Sequence, residues 1–103
     1  MQPWDIGTTP KRPDEKFPIT ADFVDLLDDA ETIDTVNTTI TDLADGADAS
    51  SAMKDGVPAI SGTKTVQKVK AGEDGHTYRL EFEITTSGGK TLEGERDIYV
   101  EET

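Results

Sequence analysis

GEDGHTYRLEFEITTSGGKTLEGERDIYV, residues 72–100, spells out an antiparallel hairpin on its own: Tyr78, Leu80, Phe82 and Ile84 recur at every second position with polar residues between them. Strand side chains alternate between faces, so this period of two sends four large apolar groups to one buried side and Thr77, Arg79, Glu81 and Glu83 to water. Ser87-Gly88-Gly89 supplies the turn, since glycine takes the backbone angles that tight turns require. The returning strand sets Leu92, Gly94, Ile98 and Val100 on the same inner face.

Upstream, Ile19-Thr20-Ala21-Asp22-Phe23 alternates and reads as a first strand with Ile19, Ala21 and Phe23 on one side. The following DLLDDAE is too short for a stable helix. An irregular crossover with Leu27 plugging one end is therefore expected there, rather than a helical turn capped by Asp25. From Thr32 to Leu43, Val36, Thr38 and Ile40 are in phase and Ile33 is not; a bulge near Asp34 and Thr35 reconciles them. Asp45-Gly46 and Asp55-Gly56 are turns, and Ala49 to Met53 is at most a short edge strand. Val57 to Ser61 and Thr63 to Ala71 read as two more strands, divided at Gly62.

About seven short strands at roughly 8–12-residue spacing, with no sustained helical pattern, make the fold all-β. The expected architecture is an immunoglobulin-like antiparallel β-sandwich over residues 19–103. Gly75-His76-Thr77-Tyr78 resembles the turn-then-tyrosine of fibronectin type III and related domains, which implies a structural tyrosine corner built on Gly75 and Tyr78. Residues 1–18 carry four of the five prolines, which remove backbone donors and bias their neighbours toward extended conformations. This stretch is expected to be an extended arm, not a strand pair. Its large apolar groups, Trp4, Ile6 and Phe17, either cover their own sheet or contact a neighbour.

At 103 residues the chain holds one modest core. The 22 acidic residues against 10 basic ones give a net charge of -12, with ten acids and one base, Lys54, between Asp22 and Asp55. Phosphate backbones and anionic lipid headgroups are bound through Lys and Arg, so nucleic acid and membrane partners are disfavoured. The acids read as a solvated surface or as a docking face for a basic partner. With no cysteine, disulfides and thiolate metal sites are excluded. No signal peptide is legible, and no apolar run approaches the ~18 residues of a membrane span.

No constellation points to catalysis. His76 is the sole histidine, and with no nucleophile-elbow serine it is expected to be a solvent-exposed turn residue. Asp42, Asp45 and Asp48 could gather oxygens around Ca2+, but they lack the spacing and closing Glu of an EF-hand loop and are also ordinary turn acids. The pair Asp28 and Asp29 is a weaker signal, and Gly88-Gly89-Lys90 is a hairpin turn, not a phosphate loop. No metal or cofactor is expected.

The run KRPDEKFPITADFVDLLDDAETI, continued by ISGTKTVQKVKAGEDGHTYRLEFEITTSGGKTLE, resembles a family of small proteins encoded among the virion structural genes of tailed phages and prophages, often labelled fibre-tail adaptor proteins. Its most recognisable pieces are residues 17–23, 60–63 and 72–78. The resemblance implies a non-enzymatic virion protein, made in the host cytoplasm, whose partners are other virion structural proteins. Whether it is oligomeric in the particle stays open. Competing readings are a capsid decoration or head-completion protein, a carbohydrate- or cell-surface-binding module, and an acidic inhibitor that mimics nucleic acid.

Overall fold

The computed structural model describes the backbone of residues 5–102 and the side chains of residues 8–102. Seven strands are present among them: β1 (Asp5–Lys11), β2 (Phe17–Asp22), β3 (Ile33–Asp42), β4 (Ala59–Ser61), β5 (Lys64–Val69), β6 (Thr77–Thr86) and β7 (Thr91–Val100). They form a four-stranded sheet of order β1-β7-β6-β3 and a three-stranded sheet of order β2-β5-β4. The β6–β7 hairpin runs in unbroken register from Thr77↔Tyr99 to Thr85↔Thr91, and Gly89 closes its turn at φ +85°.

The inward residues of both sheets meet in one core. Ile19, Ala21 and Val69 come from the small sheet, Ile40, Leu80, Phe82, Ile84, Ile98 and Val100 from the large one, and Phe23 and Met53 from connecting segments. The core also holds a polar tie. Buried Gln67 of β5 accepts from the Thr38 hydroxyl of β3 and donates to the carbonyls of Gly56 at 3.1 Å and Lys68 at 2.8 Å. Both of its N–H donors and its carbonyl oxygen are thus engaged, so the amide is buried with no polar atom left unpartnered.

The shift in β3 lies between Ile33 and Thr35, where the phase change in the sequence required it. Three expectations are corrected. Residues 5–11, read as an arm outside any strand pair, form β1, an edge strand parallel to β7. Proline-biased backbone is already extended, and at an edge the missing N–H of Pro10 costs little. Lys11 ends that strand buried, its ammonium donating to the carbonyls of Arg12 at 2.7 Å and Ala71 at 2.6 Å. Arg96, in the inner phase of β7, ties β1 to it through the Thr9 hydroxyl.

Second, DLLDDAE crosses irregularly from Leu27 on, with Leu27 packed against the core as expected, but its first two residues belong to a 3-10 turn (Val24–Leu26). The carboxylate that starts this turn is Asp22, whose Oδ1 accepts from Val24 N–H at 3.0 Å, not Asp25. Third, Ser50–Met53 is one helical turn, α1, and not an edge strand. Met53 must swing into the core there, where it is 1% exposed, and a single turn achieves this in four residues.

Candidate functional site

One pole of the molecule, where β3 ends and β6 begins, opens into a cleft of about 490 Å³ lined by Asp42, Asp45, Asp48, Glu73, His76 and Tyr78, with Met53 beneath. His76 is not the solvent-exposed turn residue expected. It is half-buried, its ring roughly parallel to Tyr78 at a centroid separation of 6.0 Å. Nδ1 lies 2.8 Å from Asp42 Oδ2 and Nε2 lies 3.3 Å from Glu73 Oε2. The Asp42 hydrogen bond, then the surrounding carboxylates, raise the His76 pKa above its ordinary 6.5 against the opposing effect of burial. Asp42 is lowered, first by the Ala44 N–H and then by His76.

Asp42, Glu73 and His76 stand close enough to be tested as a metal centre. Each ring nitrogen faces one carboxylate, and ligand atoms of all three residues lie within 4.8 Å of one another, a spacing that serves the imidazole itself as well as it would an ion. An imidazolium donating to both acids satisfies every group. The same arrangement leaves His76 without a nucleophile to activate, because each ring nitrogen already faces a carboxylate.

The Asp42, Asp45 and Asp48 set is also accounted for locally. Each carboxylate accepts from the backbone N–H two residues on, at Ala44, Ala47 and Ser50, at 2.9, 2.9 and 2.8 Å. Asp48 is held below its ordinary pKa by the Ser50 hydroxyl and N–H. These are turns in which the acids serve their own backbone. They do not converge on a common point.

Tyr78 is buried, and its hydroxyl accepts from Glu73 N–H at 2.9 Å. Gly75 sits at φ +84° and donates its N–H to Val100 O at 2.8 Å, so the loop entering β6 is anchored to the end of β7. Gly72 is closely packed: a Cβ there would stand 2.8 Å from Val100 Cγ2 and 3.1 Å from Met53 Cε, at φ +101°. Of the proposed arm contacts, Phe17 is half-buried and packs against the core. Trp4 and the Ile6 side chain lie outside the described residues.

Sheet edges differ in how they are protected. The outer edge of β3 is covered by the segment around α1: Lys54 Nζ donates to Thr38 O at 2.9 Å, Ile40 N–H donates to Ser50 Oγ at 2.9 Å, and Asp42 N–H donates to Ala47 O at 2.8 Å. Among the described residues, the outer edge of β2 has no strand beside it. The signal that could have found the β3 cover was the Lys54 placed between two acidic turns. Its partner is a backbone carbonyl, which no side-chain pattern reveals.

A protein-family model described as "Podophage GP4 fiber-tail adaptor protein gp77" matches residues 11–100 of this chain. A search of curated proteins finds no match.

Proposed function

The chain belongs to the podophage GP4 fiber-tail adaptor family gp77, and from that membership we propose that it is a non-enzymatic virion structural protein that joins tail or connector components to a fibre or its base. The observation that carries this reading is the extent of the match. It begins at Lys11, the last residue of β1, and ends at Val100, its register partner in β7, and so takes in β2 to β7 whole. The family label implies a structural rather than a catalytic role, and the saturated hydrogen bonding of His76 is consistent with that. No helix among the described residues is long and apolar enough to cross a membrane.

The finer fold reading is an immunoglobulin-like sandwich. Its support is the strand order, in which β2-β5-β4 faces β7-β6-β3, together with the Tyr78 hydroxyl bonded back to the loop entering its own strand. Such a frame suits an adaptor, because a rigid double layer holds docking surfaces in fixed relation. Trp4 and Ile6 remain our candidates for contacts to a neighbouring virion protein, while Phe17, the first residue of β2, packs against the core. In the host cytoplasm the protein would await assembly.

Mass spectrometry of purified particles, with copy number referenced to the major capsid protein, tests the reading. About six to eighteen copies, as rotational symmetry at a tail joint allows, together with cross-links to both tail and fibre proteins, are expected. Hundreds of copies would move the protein to capsid decoration, and absence from particles would overturn a virion role.

A further inference from the structure

The two sheets present outer faces of opposite charge. On the large sheet, register places Glu81 directly opposite Glu95 and Glu83 directly opposite Glu93. Like charges in directly opposed positions destabilise a sheet, so two adjacent rungs carry a cost that local structure does not explain. Arg79, in the next rung, is already bound by Asp97 at 2.9 and 3.2 Å, and it reaches Glu95 only at 3.8 Å. Beside these carboxylates Asn37 and Thr39 of β3 add polar but uncharged groups.

The small sheet is the reverse. β5 turns Thr65, Gln67 and Val69 inward and sends Lys64, Val66 and Lys68 outward. Across the rungs Val66 is flanked by Thr20 and Ala59, and Val57, two residues before Ala59, is 87% exposed. Among the described residues neither lysine makes an ion pair. The one acid in this face, Asp22, stands directly opposite Lys64 in the register, but its Oδ1 is engaged by Val24 N–H and the Thr63 hydroxyl, and Lys68 faces Pro18. In a chain of net charge -12, a face with an apolar centre and more lysines than acids is the exception that requires a reason.

We propose that this face docks a second copy of the chain, receiving its Glu81, Glu83, Glu93 and Glu95 face. The two surfaces lie on opposite sides of the double layer, so the contact is head-to-tail and each copy keeps one face free for the next. Such heterologous contacts close into rings or continue as filaments. The repeat along the stack would be close to the smallest dimension of the molecule, 22 Å. Repulsion between two strongly negative copies is screened beyond a Debye length of about 8 Å at physiological salt, while charges brought into contact are screened much less. This inference stands apart from the tail–fibre reading, since it rests on charge layout and can fail alone.

Charge reversal tests it in solution. One variant carries Lys64→Glu and Lys68→Glu, the other Glu83→Lys and Glu93→Lys; all four positions are exposed, and thermal melts check that both variants fold. By sedimentation at roughly millimolar protein, a regime where contacts of ~4 kcal/mol register, the full-length chain is expected to self-associate. Each variant alone should lose at least about tenfold in association, as facing charges become alike. A one-to-one mixture should recover it, because the native acidic face of the first then meets the native lysine face of the second. A chain that stays monomeric at that concentration, association untouched by either reversal, or a mixture that fails to recover would each overturn the proposal.

Discussion

The two poles of the molecule are both held by a carboxylate paired with a cation, yet they answer pH in opposite ways. At the hairpin pole, Glu31 accepts from the Thr86 hydroxyl at 2.6 Å, from Asp28 N–H at 2.8 Å and from Lys90 at 3.1 Å. Its cation is a lysine that is charged at every working pH, and the hydrogen bonds, Thr86 first, pull the Glu31 pKa from 4.5 down to about 2. At the cleft pole the cation is His76, which is charged only while its imidazole is protonated and is surrounded by more carboxylates than it can neutralise. One pole is a permanent clamp and the other a conditional one. The lesson is that the identity of the cation, more than the geometry of the pair, decides whether an anchor survives a change of pH.

The largest break in this comparison should come from Gly72→Ala. Its Cβ meets Val100 and Met53 at a backbone angle alanine tolerates poorly, and the change should cost about 2–4 kcal/mol, read as a lowered urea midpoint. The cleft pole would then be shown to depend on backbone packing before it depends on charge. An unchanged midpoint would mean that Val100 and Met53 yield.

Glu31→Gln comes next and sharpens the contrast. A carboxylate with a depressed folded pKa stabilises fully above its unfolded value of 4.5 and loses that contribution as pH falls toward about 2. The stability difference between the native protein and the variant should therefore be largest above about pH 5 and shrink on acidification. Urea titrations at several pH values measure it.

His76→Gln should have the smallest effect and the opposite slope. A raised histidine pKa stabilises fully below the unfolded value of 6.5 and is lost as pH rises through the higher folded value. The difference between native and variant should be present in the mildly acid range, until Asp42 itself titrates, and should vanish on the alkaline side. If both variants gave slopes of one sign, the distinction between the poles would collapse.

Much of the fold was legible because β-structure with one buried face writes its period into the chain. The alternation from Tyr78 to Ile84 and the phase change at Ile33 each named a strand or a bulge that the structure contains. The errors fall where no period exists. A single helical turn at Ser50–Met53 is too short to show one, and β1 is a strand only because the side of β7 away from β6 accepts it. The site was less legible still. His76 and Asp42 are far apart in the sequence, and the turn acids Asp45 and Asp48 gave the same local signal as Asp42, although only Asp42 meets the imidazole.

By itself the sequence determined that the chain is all-β, where most strands run, which side chains face inward, and a family resemblance later matched over residues 11–100. The first three follow from interactions between near neighbours, or from the simple alternation of a pleated strand. Only the tertiary structure decided that the proline-rich start joins a sheet, that Lys11 is buried against the carbonyl of Ala71, and that like-charged glutamates face one another on one side while lysines face outward on the other. Those outcomes depend on register and on which sheet each strand enters. Both are settled by how the whole core closes, since a local period says that a side chain turns inward but not what it will meet there.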